Sequence, residues 1–140
     1  MFKTLTTPHT YIIDGDLSLF TRFDMDKKRM WDLTSSFKIN NRLALKEQHG
    51  DKELLNGPLH LDCTFFIRFR GSVCKSVEYH NKPHAQNPRL SALMILLEAV
   101  GTGVLFEHAS SIVSVDARKY YDSERPRVEF KLFETKRDME

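Results

Sequence analysis

The clearest pattern in the chain is a two-residue alternation in the stretch LHLDCTFFIRFR, residues 59–70. Leu61, Cys63, Phe65, Ile67 and Phe69 fall on one face; His60, Asp62, Thr64, Phe66, Arg68 and Arg70 fall on the other. A strand with one face against a core alternates in this way. Leu90, Leu93, Met94, Leu97 and Val100 instead follow helical spacing over residues 89–100. Asn87 is placed to cap that helix, Pro88 suits its first turn, and Gly101 and Gly103 end it. Two further strands are expected, one alternating Val113, Val115 and Ala117 with Ile112, Ser114, Asp116 and Arg118. The other alternates Val128, Phe130 and Leu132 with Arg127, Glu129 and Lys131. YYDSERP between them reads as a hairpin loop. TYIIDGDLSLF, near the start, reads as a strand or hairpin turning at Asp14, Gly15 and Asp16. DMDKKRMWDLTSS reads as irregular. FKINNRLALKEQHG reads as a helix with Ser35 or Ser36 near its cap and Gly50 beyond its end. Residues 71–88 read as a mobile loop, and 134–140 as a frayed charged tail. Together these elements predict one α+β domain over 1–140, a mainly antiparallel or mixed sheet with helices packed on it.

Composition changes this picture little. The chain has 140 residues, 41% hydrophobic and 29% charged, enough for one core. The net charge is only +2, with 21 basic and 19 acidic residues, so any nucleic-acid surface has to come from local clustering. Cys63 and Cys74 are the two cysteines and make no zinc-type spacing; Cys63 reads as a buried free thiol. No leader pattern or membrane-length apolar run occurs, which predicts a soluble, intracellular, cytoplasmic protein. Gly101 and Gly103 lack the Lys-Ser/Thr of a phosphate-binding loop, and no serine or cysteine nucleophile has a motif around it.

The order of motifs carries more. A strand leads into Lys82-Pro83 and Asn87, then the helix, then Gly103, Val104, Leu105, Phe106 and Glu107. Ile112, Val113, Lys119, Tyr120, Arg125, Pro126, Val128 and Phe130 follow. This order resembles the RusA family of Holliday junction resolvases over roughly residues 55–133. The resemblance implies a RusA-like fold, a homodimer, and a metal-dependent endonuclease of phage or prophage type that cuts four-way DNA junctions in recombination. The family's loop reads Lys-Pro-Asp-x-Asp-Asn, with a lysine further on and an acidic pair after the "GVLxE" stretch. Such carboxylates suit Mg²⁺, which takes hard oxygen ligands and activates water against phosphate.

This chain departs from that pattern. Aligned from Pro83, the two aspartates become His84 and Gln86. Aligned backward from Glu98, they become Pro88 and Leu90. The lysine becomes Leu90 or Met94, and the acidic pair becomes His108 and Ala109. Glu107, His108, His84 and Glu78 are the remaining catalytic candidates, with Asp116 on the following strand. His80, His84 and His108 with Glu107 or Gln86 would suit a transition metal such as Zn²⁺; the plainer alternative is that they are loop histidines without a ligand. No cofactor is expected, other than Mg²⁺ or another divalent metal if the chain is active. Lys27, Lys28, Arg29, Arg68, Arg70, Lys75, Lys82 and Arg89 are the DNA-binding candidates, with Arg118, Lys119, Arg125 and Arg127 as a third basic group. Trp31, Phe37, Tyr120 and Tyr121 can stack on bases or pack in a core or interface. The expectation is a catalytically degenerate RusA-like pseudo-nuclease, which binds branched or duplex DNA without cutting or serves as a phage or viral protein-binding module. The alternative is an endonuclease with a relocated metal site.

Overall fold

The computed structural model describes residues 2–5, 7–16, 27–86 and 88–137, with side-chain environments outside that description for 2–5, 27–37, 73, 136 and 137. Its elements run β1 (Phe2–Leu5), β2 (His9–Asp14), α1 (Lys27–His49), β3 (Leu59–Ile67), α2 (Val73–Glu78), α3 (Leu90–Gly101), β4 (Ile112–Tyr121) and β5 (Arg127–Arg137). This is the expected α+β arrangement, with a mixed sheet. β3 is central: it pairs parallel with β4 and antiparallel with β5, whose other edge carries β2 and then β1.

β3 keeps the alternation read from the sequence as far as Ile67, where it ends, so Arg68, Phe69 and Arg70 lie beyond the strand. Leu59, Leu61, Cys63, Phe65 and Ile67 are buried, and the residues between them half-buried. β5 adds Val128, Phe130 and Leu132 to the same face, and β2 adds Tyr11 and Ile13. Against this face pack Leu45 of α1 and Leu93, Leu97 and Val100 of α3, with Leu90 and Met94 partly buried beside them. The α3 stripe is therefore core. Each such side chain contributes about 1.5–3 kcal/mol by leaving water. Cys63 is a free thiol in this core, donates to Met94 Sδ at 3.5 Å, and is pushed up to about 12 chiefly by burial.

Several expectations need correction. YYDSERP is no hairpin: β4 and β5 flank β3 on opposite sides, so the connection crosses the end of β3, where Asp122 N–H donates to Ile67 O. The stretch read as irregular is helical from Lys27, so Ser35 and Ser36 lie inside α1, although Gly50 does follow its end with φ 69°. α3 starts at Leu90 with Arg89 as its N-cap and no side-chain capping bond. Asn87 lies outside the described residues. The supposed tail is strand as far as Arg137, with Thr135 buried and paired with Leu5 of β1. Val113 and Val115 are 51% and 47% exposed, because β4 is an edge strand and Val113 falls where its register on β3 shifts. Gly101 is required by packing, since a Cβ there would lie 2.8 Å from the Phe106 ring.

No helix among the described residues is long and apolar enough to cross a membrane.

Candidate functional site

In a β-α-β crossover the segment leaving the first strand and entering the helix collects at the carboxyl ends of the parallel strands. Here that segment is residues 68–89, between β3 and α3. It carries five basic residues, Arg68, Arg70, Lys75, Lys82 and Arg89, against one acid, Glu78. A chain with a net charge of +2 thus concentrates its positive charge at one end. All five are exposed, and Lys82 Nζ stands 5.3 Å from the Tyr79 ring centroid.

The segment expected to be mobile is tied to β4. Ser72 caps the short α2, its hydroxyl accepting from Lys75 N–H at 3.3 Å. Asn81 then takes φ 64°, a left-handed conformation that asparagine tolerates better than most residues. It turns the chain onto the edge of β4, where Asn81 N–H donates to Tyr121 O at 2.8 Å, Tyr121 N–H to Lys82 O at 3.0 Å, and His84 N–H to Lys119 O at 3.1 Å. Lys119 Nζ donates to the Gln86 and Pro88 carbonyls, both at 2.6 Å, and Tyr121 OH donates to Gln86 Oε1 at 3.1 Å. Beneath this strap the Phe69, Tyr79 and Tyr121 rings meet edge-to-face, with centroids 4.8–5.5 Å apart, and His84 lies 4.5 Å from Tyr121. Burial lowers the pKa of Lys119 and raises that of Tyr121. Tyr121 is therefore a buried packing residue, and Tyr120 is half-buried beside Phe66. Trp31 and Phe37 have no described side-chain environment.

The catalytic and metal candidates divide between two ends of β4. Glu78, His80 and His84 belong to the strap end, with His80 3.7 Å from Asp122 and His84 bonded to Lys119. Glu107 and His108 precede the other end, 4.0 Å apart and both exposed. β4 runs from Ile112 to Lys119 between them, about 23 Å at roughly 3.3 Å per residue. Among the described residues no three His, Cys, Asp or Glu side chains come together as a metal-holding group.

The third basic group is engaged within the fold. Arg118 reaches Asp62 at 2.9 Å and Asp116 at 2.8 Å, and these bonds outweigh burial in raising its pKa. Asp116 is thus an ion-pair partner on the open sheet face. Arg125 meets Asp14 at 3.1 Å. Arg127 reaches Asp122 at 2.9 Å, bonds Glu129, and stacks 3.8 Å over the Phe66 ring. Lys27, Lys28 and Arg29 form the start of α1, with side chains outside the description.

The residue most easily missed in the sequence is Asp122. It is buried and accepts from the Glu124 and Arg125 N–H groups, both at 3.1 Å, as well as from Arg127. Burial alone would raise its pKa, but those hydrogen bonds and the positive charges of His80 and Arg127 lower it overall. An aspartate two and three residues before the amides it bonds is a turn signature, present in Asp-Ser-Glu-Arg. No protein-family model matches this chain, and no curated protein matches it either.

Proposed function

We propose that this chain binds nucleic acid without cutting it, using the cation-rich end of the β3-α3-β4 unit. The observation that carries this reading is the exposed set Arg68, Arg70, Lys75, Lys82 and Arg89, opposed in sequence only by Glu78. Lysine and arginine recognise phosphate through charge, which gives affinity without sequence preference. Arg118, Arg125 and Arg127 of the third basic group are each ion-paired to a carboxylate, so they add little. The resemblance to RusA-like resolvases suggests branched or duplex DNA as the ligand and a homodimer as the working unit. The reading omits cleavage because a Mg²⁺ site needs converging oxygen ligands, and the candidate carboxylates Glu78 and Glu107 belong to opposite ends of β4.

The test is incubation with labelled four-way junction and matching duplex in EDTA, Mg²⁺, Mn²⁺ or Zn²⁺, read on native and denaturing gels. A band shift that weakens with salt, without nicks, is expected. Metal-dependent nicking would overturn the absence of catalysis, and no shift at low salt would overturn the binding.

A further inference from the structure

Among the described residues the buried side-chain polar atom without a hydrogen-bond partner is His84 Nδ1. His84 is only 6% exposed, packed on the Tyr121 ring, and its backbone N–H closes the last backbone–backbone bond between the strap and β4. A buried imidazole with a bare nitrogen is tolerable when neutral. Protonation there turns the bare nitrogen into an unsatisfied N–H donor and places a positive charge beside Lys119.

We infer that residues 81–86 are a proton-operated latch, in which neutral His84 holds the strap on β4 and protonated His84 releases it. The groups around the ring set the direction. From β4, Lys119 adds a positive charge and Tyr121 presents its ring; from the segment after β3, Arg70 adds a second positive charge. Asp16, beyond β2, acts in the opposite sense. Burial first, and Lys119 next, depress the imidazole's pKa below its usual 6.5. The neutral form is thus the one that fits the closed strap. Closure is complete above the free imidazole value and is lost as pH falls through it towards the folded value. Release frees the Lys119, Tyr120 and Tyr121 edge of β4 and uncouples Lys82 from it, while the β3–β4 and β3–β5 pairings remain.

The latch does not depend on nucleic-acid binding, and amide hydrogen exchange on the full chain reads it with no ligand present. Exchange at Asn81, His84 and Tyr121, whose amides bond across the strap and β4, is compared at neutral and mildly acid pH after correction for intrinsic rates. Protection of these amides is expected to fall by up to about ten-fold per pH unit below the free imidazole value, with β3 amides unchanged. In His84→Phe, which keeps a ring against Tyr121, protection is expected to be equal at both values. An NMR titration of the His84 ring in the unaltered chain gives a second reading, independent of whether the variant folds. Its midpoint should lie below the free imidazole value, at the pH where the loss of protection is complete. Protection indifferent to pH, an equal loss in the variant, or a His84 midpoint that does not match the loss would overturn the latch.

Discussion

Tyr11 and His49 show how single polar atoms fix the geometry of this fold. His49 Nε2 donates to Glu53 O at 2.8 Å, so its Nδ1 is the acceptor for Tyr11 OH, also at 2.8 Å. Both residues are buried, and burial pushes the Tyr11 hydroxyl up to about 12. Tyr11→Phe leaves Nδ1 without its donor, and the expected loss in chemical denaturation is about 1–3 kcal/mol. Asp122 is the corresponding group at the strap end. Its pKa is lowered, so its contribution is present above the ordinary carboxylate value and is lost as pH falls through the folded one. Asp122→Asn is therefore expected to cost about 2 kcal/mol at neutral pH and to flatten the fall in stability below about pH 4. An unchanged acid limb in the variant would contradict this role. Neither pair is visible in a hydrophobic pattern: Tyr11 and His49 are far apart in sequence, and only the local Asp122 turn left a trace there.

Element by element, the legible parts were those fixed by a local period. β3 and α3 each bury one face, and that face dictates residue type at every second position or at helical spacing. The extent of α1 was not legible: Met30, Leu33 and Phe37 fall at helical spacing, but the charged start and the Thr34-Ser35-Ser36 run read as irregular. The path from β4 to β5 was misread because a turn signal marks where a chain bends and does not say which strand it joins. α1 and α3 are also linked by Arg42, whose guanidinium donates to the carbonyls of Ala99 in the last turn of α3 and Thr102 just beyond it. A cation at a helix C-terminus offsets the exposed carbonyls there. Arg42→Ala is expected to destabilise the fold by about 1 kcal/mol, with faster amide exchange confined to the end of α3. A loss spread evenly over the sheet would show that Arg42 acts in some other way.

At the scale of the molecule, the net charge of +2 conceals an uneven distribution. Arg118 and Arg127 on the open sheet face are matched by Asp62, Asp116, Asp122 and Glu129, while residues 68–89 carry five basic side chains and one acid in sequence. The basic residues were individually legible in the sequence. Which of them are neutralised was not, because each pairing depends on strand register: Asp62 stands opposite Asp116 across β3 and β4, with Arg118 two residues on. The separation of Glu107 and His108 from His84 was equally hidden, since residues about 20 apart in sequence can meet or lie at opposite ends of a strand. The measurement that tests nucleic-acid binding most directly is the salt dependence of affinity for duplex DNA, by fluorescence anisotropy. It compares the unaltered chain, Lys82→Glu/Arg89→Glu, and Lys131→Glu as a charge change on the open sheet face. If residues 68–89 hold the phosphates, the double variant loses affinity and its log–log salt slope falls by about 2, while Lys131→Glu keeps the full slope. Equal losses in both variants, or a slope unaffected by changing Lys82 and Arg89, would contradict the assignment of that end as the nucleic-acid surface.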